Sequence, residues 1–216
     1  MLIDVFTLVP EAFDWLTKRR PVAAVLGSEL ELRVFNYRET TPLSARQVDD
    51  EPYGGGAGMV LRVDVVAAAL DAVYGGTPEQ RVLGLSPGGR QLDQALVEEL
   101  AVEPALTLLS SRFEGFDQRI LDHLCTDVIS IGPYVLSGGE IPALALVDAV
   151  VRRLPGALRE ESGERESFSE AFAGGLEHPQ YTRPPVFRGW EVPEILLSGD
   201  HGRIERWRLG HVRSVR

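Results

Sequence analysis

Residues 129–156 read ISIGPYVLSGGEIPALALVDAVVRRLPG. They spell a β-rich run, a bend with two glycines, and the longest apolar helix in the chain. The bend runs Ser137, Gly138, Gly139, Glu140, Ile141, Pro142. Glycine lets the backbone approach another group where a Cβ would intrude. Proline suits the first turn of a helix, where its missing N–H costs nothing. Strands that alternate with helices are the building pattern of a parallel α/β sheet.

The same rhythm extends outward. LIDVFTLV, LELRVFNY, RVLGLSP and ALTLLSS are strand-like; PEAFDWLTKRR, VDVVAAALDAV, QLDQALVEELA and FDQRILDHL are helical. Strands separated by helix-length segments need right-handed crossovers, which predicts an α/β fold with a parallel sheet. The apolar strand sequences agree, because both faces of such a sheet are covered. Two segments break the rhythm. Residues 40–61, TTPLSARQVDDEPYGGGAGMVL, are too long and glycine-rich for a simple connection, which marks them as functional. Residues 159–185 are polar, then rich in glycine and proline, the composition of a linker. Beyond them, VPEILLSGDHGRIERWRLGHV predicts a small helical domain.

The chain has 216 residues, 44% of them hydrophobic, enough for one good core. A single cysteine, Cys125, permits no internal disulfide and suits a reducing compartment. The start, MLIDVFTLVPEAF, lacks a basic leader and reads as a first strand, not a signal peptide. No uncharged apolar run approaches the length that crosses a bilayer. These features predict a soluble cytoplasmic protein with no membrane partner. A net charge of −10 argues against nucleic acid. From Arg183 onward, however, seven arginines stand against four acids. That asymmetry suits a local anionic partner, and a solvated basic helix accounts for it equally.

YGGGAGM (Tyr53 to Met59) fails both common nucleotide templates. A P-loop needs Gly-Lys-Ser/Thr, and Gly58 is followed by Met59 and Val60. A dinucleotide fingerprint starting at Gly54 needs a third glycine where Met59 stands. What remains is a loop whose backbone can approach a ligand, or a flexible surface loop. GLSPG (Gly84 to Gly88) matches a nucleophile elbow around Ser86. The elbow draws an oxyanion donor from the next backbone N–H, and Pro87 has none. A serine hydrolase is therefore a distant alternative. The histidines, 123, 178, 201 and 211, show no metal-ligand spacing, and no metal site is expected from them. Arg152 follows Asp148 by four residues, which suits an intrahelical ion pair or an arginine aimed at a ligand; spacing does not separate the two.

Three turns remain: GLSPGGR, SSRFEGFD and SIGPYVLSGGEIP, each after a strand. In a parallel sheet they fall at the carboxyl edge, where ligands bind. A pocket lined by backbone N–H and C=O groups suits a purine edge. Glu114 and Glu140 add negative charge, suited to a cationic ligand.

Taken together, VDDEPYGGGAGMV, LSPGGRQLDQ, SRFEGFDQR, SIGPYVLSGGEIPAL, PQYTRPPVFRGWEVPEILLSGDH and RIERWR resemble, in order and over nearly the whole chain, the bacterial tRNA (guanine-N1)-methyltransferases of the SPOUT superfamily. The resemblance implies an α/β domain with a deep carboxyl-terminal trefoil knot over residues 1–158. It implies a linker at 159–185 and a small helical tRNA-binding domain at 186–216. It implies a homodimer with its active site between subunits, and methyl transfer from S-adenosylmethionine to N1 of the guanine just 3′ of the tRNA anticodon. Ile131, Gly132, Tyr134, Leu136, Gly138 and Gly139 would hold the donor, with Pro142 fixing the helix start. Leu85, Ser86 and Pro87 would line its adenine side, and Ser111, Arg112, Phe113 and Glu114 would lie near its methionine end. Asp50, Tyr53, Gly54, Gly55, Gly56 and Gly58 would help receive the flipped guanine, with Tyr181, Arg183 and His201 as further tRNA contacts. Arg152 would be the partner of guanine O6.

Magnesium (Mg2+) also comes with the resemblance, although no sequence feature marks its site. The family's base, an aspartate before Ser-Phe, is here Glu166, with Glu164 and Glu170 as rivals. Ser111 stands for a usual glycine and Pro133 for a usual aspartate. The chain stops soon after RIERWR, where the family commonly runs further, which implies a weaker grip on tRNA. A knotted module that binds tRNA or donor without turnover is the alternative reading.

Overall fold

The computed structural model describes residues 1–159 and 165–214. Two compact units emerge, Met1–Leu158 and Arg159–Arg216.

The first unit is built on a five-stranded sheet. Its strands are β1 (Leu2–Thr7), β2 (Glu31–Asn36), β5 (Arg81–Gln91), β6 (Ala105–Leu109) and β7 (Asp127–Ser130), in the order β2-β1-β6-β5-β7. Every neighbouring pair is parallel. A separate two-residue pair, β3 (Asp49–Asp50) and β4 (Val60–Leu61), runs antiparallel at the base of the glycine-rich loop. Short helical turns α1 (Asp14–Thr17), α2 (Val22–Val25) and α3 (Tyr37–Thr40) follow the first two strands. Longer helices are α4 (Val63–Tyr74), α5 (Gln94–Ala101), α6 (Gln118–His123) and α7 (Glu140–Val151).

The alternation of β1 explains the layering. Ile3 and Val5 join Leu96 and Leu100 of α5 and Leu146, Val147 and Val150 of α7 in one core. Phe6 faces the other way, into a core with Val66 and Leu70 of α4 and Ile120 of α6. Asp4 also points to that second side and is fully buried. It accepts two bonds from Arg33, both at 2.7 Å, and one from the Tyr74 hydroxyl at 2.6 Å. Burial first, and then the Asp4 carboxylate, push the Tyr74 hydroxyl well above the usual phenol range.

Helix ends follow local chemistry. Asp93 caps α5 by accepting from the Leu96 amide at 2.8 Å. Gly75 ends α4 in a left-handed conformation, φ +73°. The segment PEAFDWLTKRR, expected as one helix, breaks into a 3-10 turn (Pro10–Phe13) and α1. The strand expected through DVISIGPYVL stops at Ser130, before Gly132 and Pro133.

The second unit contains the hairpin β8 (Val186–Phe187) and β9 (Trp190–Glu191), and helices α8 (Glu194–Leu197) and α9 (His201–Gly210). Within it Phe172 and His178 are buried, and Leu176 pairs antiparallel with Arg213. Among the described residues, no helix is long and apolar enough to cross a membrane.

Candidate active site

Three adjacent strands deliver their loops to one edge of the sheet. Strand β6 leads into residues 110–115 and β7 into residues 131–139. Strand β5 contributes differently from the turn expected after it. Leu85 and Arg90 both face Ile129, so residues 86–89 loop out and the strand then resumes. Gly89 makes this possible: a Cβ there would stand 2.5 Å from the Ile129 amide nitrogen.

The cleft between these loops holds about 660 Å³, its open mouth included. The residues that the sequence assigned to a donor site line it together: Leu85, Ser86 and Pro87 from β5; Ser111, Arg112, Phe113 and Glu114 after β6; Ile131, Gly132, Tyr134, Leu136, Gly138 and Gly139 after β7; and Pro142 in α7. Gly115, Ile129, Ser130 and Val135 also line it; no motif signal singled them out.

Four glycines, Gly115, Gly132, Gly138 and Gly139, are among the cleft's lining residues. A Cβ on Gly132 would meet the Tyr134 ring at 2.3 Å. The Tyr134 hydroxyl donates to the Ile131 carbonyl at 3.2 Å, and the Gly132 amide donates to Ser130 Oγ at 3.2 Å. Phe113 holds a left-handed backbone, φ +60°, which costs a non-glycine residue on the order of 1 kcal/mol and turns the chain into the cleft. Among the described residues lining the cleft, Arg112 and Glu114 are the charged ones.

Glu140, read from sequence as charge for the ligand, faces elsewhere. It is 5% exposed and heads α7. Its Oε1 accepts from Thr7 Oγ1 at 2.8 Å, and its Oε2 accepts from Arg112 Nη1 at 3.2 Å. A carboxylate in the first helical turn is favoured by the helix dipole, and Gly138 leaves the side chain room: a Cβ there would stand 2.4 Å from Glu140 Oε2.

The glycine-rich loop abuts the same cleft. The Glu114 amide donates to the Met59 carbonyl at 2.9 Å, and the Leu61 amide to the Gly115 carbonyl at 3.0 Å. A Cβ on Gly58 would meet Glu114 Oε1 at 2.4 Å. Gly54, Gly55, Gly56 and Gly58 all take positive φ, and Tyr53 is fully exposed. Asp50, at the loop's base, pairs with Arg62 at 2.8 Å. Arg62 also pairs with Asp64 at 2.8 Å, and that hydrogen-bonded guanidinium holds the Asp64 carboxyl below the usual range.

Other candidates are not among the residues that line the cleft. Arg152 follows the last residue of α7, and its amide donates to the Asp148 carbonyl at 3.2 Å. Glu166 and Glu170 belong to the second unit; Glu164 lies outside the described residues. Tyr181, Arg183 and His201 line a groove of that unit beside Trp207 and Arg208. Among the described residues, no group of three or more His, Cys, Asp or Glu is arranged to hold a metal ion.

A parallel α/β sheet with a cleft at its carboxyl edge carries that cleft where ligands bind in such folds. Comparison narrows the class. The family described as tRNA (Guanine-1)-methyltransferase TrmD matches residues 1–215. Proteins named tRNA (guanine-N(1)-)-methyltransferase are close in sequence. One from Bradyrhizobium diazoefficiens is 50% identical over 98% of this chain and 84% of its own length. One from Rhodopseudomonas palustris is 49% identical over 98% and 84%, and one from Dehalococcoides mccartyi 46% identical over 96% and 84%. The chain belongs to the tRNA (guanine-1)-methyltransferase family.

Proposed function

We propose that the chain transfers the methyl group of S-adenosylmethionine to N1 of the guanine just 3′ of the tRNA anticodon. The observation that carries this reading is the cleft: three loops at the carboxyl edge of the sheet enclose it, with one cation, Arg112, and one carboxylate, Glu114, in its lining. A Cβ on Gly132, Gly138 or Gly139 would collide with Tyr134, with Glu140 and Arg112, or with Ser110 and Ser111, so these glycines let the loops that form the cleft pack closely. Leu85, Ser86 and Pro87 flank the adenine. Arg112 and Glu114 serve the zwitterionic methionine tail. When bound, the donor supplies an electrophilic methyl group on its sulfonium.

The residues then have two tasks. Guanine N1 carries a proton that must leave, and negative charge builds on O6. Glu166 accepts the proton as general base. Arg152 stabilises O6; it cannot be the base, because a guanidinium stays protonated. Positioning supplies most of the remaining rate. Asp50, Tyr53 and the glycine loop receive the flipped base, and the arginine-rich second unit, with Tyr181, Arg183 and His201, grips tRNA.

The reading includes a homodimer. Arg152 follows Pro142 by ten residues along α7, roughly 15 Å at 1.5 Å per residue, too far for its side chain to reach the cleft at the other end of the same helix. Two copies that exchange their helix ends solve this. Exposed Phe113, Tyr134, Val135 and Ile141 around the cleft give such an interface apolar area. The crossing of residues 110–112 with residues 138–139 supports a knotted chain path here, and the reducing setting of one free cysteine suits the cytoplasm.

The test is direct. The protein is incubated with S-adenosylmethionine and tRNA transcripts carrying G or A beside the anticodon. N1-methylguanine should form in the G transcript alone. Donor binding without product would instead make the chain a binding module.

A further inference from the structure

We propose that Glu140 is a positioning residue that fixes the Arg112 guanidinium, making it a receptor for the carboxylate of an amino-acid-bearing nucleoside. The inference rests on the donor-site reading and goes beyond it, since Glu140 does not line the cleft.

Glu140 is nearly buried, and both carboxylate oxygens are committed. Thr7, fully buried on β1, donates to Oε1 at 2.8 Å. Arg112 donates to Oε2 at 3.2 Å. Thr7 is itself pinned, because its Oγ1 accepts from the Val9 amide at 3.0 Å. The carboxylate therefore links a core strand to a cleft side chain. Arg112 remains partly open, its side chain 38% exposed. One of its five N–H donors goes to Glu140, and the rest are available to a ligand. The backbone enforces this arrangement. Arg112 and Gly138 form an antiparallel bridge, and a Cβ on Gly138 would stand 3.2 Å from Arg112 Cγ and 2.4 Å from Glu140 Oε2. Only a glycine lets the ion pair pass over the chain here. Among the described residues lining the cleft, Arg112 is the sole cation, so the ligand's carboxylate has one charged partner there, and a long arginine held at one end loses less freedom on binding.

The experiment compares two probes by calorimetry. S-adenosylhomocysteine carries the amino-acid tail; 5′-methylthioadenosine lacks it. Glu140→Met, with folding checked by thermal melting, should bind S-adenosylhomocysteine at least tenfold more weakly than wild type and 5′-methylthioadenosine within twofold of wild type. Arg112→Met should show the same split, and the double variant should be no weaker than Arg112→Met alone. A folded Glu140→Met that binds both probes as wild type does, or weakens both equally, overturns the proposal. If Glu140→Met does not fold, Glu140→Gln keeps the volume and one acceptor and should show a smaller split of the same sign; no split overturns the proposal. A wild-type protein that binds neither probe sinks the donor-site reading itself, a distinct outcome.

Discussion

The Gly139 amide donates to the Ser111 carbonyl at 2.7 Å, and a Cβ on Gly139 would stand 2.8 Å from the Ser110 Cα. Two loops from different strands thus cross backbone against backbone, locked further by Ser110 Oγ donating to the Gly139 carbonyl at 3.1 Å. Gly139→Ala must push them apart. The expected cost is about 1–3 kcal/mol of stability, as for other overpacked sites, with donor affinity lost at least tenfold. Gly88 has open space around it, so Gly88→Ala should change stability by less than about 0.5 kcal/mol. Equal effects of the two changes in urea titrations would refute the crossing as the constraint.

Much of this architecture is legible in the sequence because burial leaves a pattern. Apolar runs such as VLGL and LTLL mark central strands, and the bends that follow them mark the cleft. What is not legible depends on contacts distant in sequence. Nothing in GLSPGGR says that the strand resumes at Arg90; that depends on Gly89 fitting against Val128 and Ile129. The direction of Glu140 depends on Thr7, 133 residues away. The hairpin at Phe187–Trp190 turns through Arg188 and Gly189, both at positive φ, the demand of a tight hairpin turn; of the two, the glycine alone marks it in the sequence. The placement of Arg152 beyond the far end of α7 follows from helix length alone, once the helix is known to start at Glu140.

The buried Asp4 gives a stability prediction. Arg33→Met leaves its carboxylate, fully buried, with Tyr74 as its remaining side-chain donor. The cost should be about 2 kcal/mol, below the roughly 3–5 kcal/mol of stripping a buried ion of every partner. A second change, Asp4→Leu, should restore most of the loss. Chemical denaturation of the single and double variants measures both, and additive losses would rule the explanation out.

Acid should destabilise the fold in a defined window. Arg62 holds the Asp64 carboxyl below its ordinary value, and Arg119 does the same for Asp117. A carboxyl whose folded pKa is depressed contributes stability above its unfolded value, near 3.9. That contribution disappears as pH falls through the folded value. Melting temperature should therefore owe nothing to these groups' titration between about pH 5 and 8 and should drop below about pH 4. Arg62→Met should lower it at pH 7 and by less at pH 3. A gap of the same size at both pH values would show that the ion pair is not its source.

Arg152 and Glu166 carry the chemistry in the proposed reaction, and their variants should fail in different ways. Arg152→Ala removes charge stabilisation at O6 and should slow methyl transfer by about 10²–10³-fold. Donor affinity should stay within twofold, because Arg152 lies outside the cleft. Glu166→Gln removes the base and should slow transfer by about 10²–10⁴-fold. Glu166→Asp restores the shorter carboxylate that the family resemblance places before Ser-Phe and should retain transfer. If Glu166→Gln transfers methyl groups at the wild-type rate, the base lies elsewhere, and Glu164→Gln and Glu170→Gln test the two rival carboxylates.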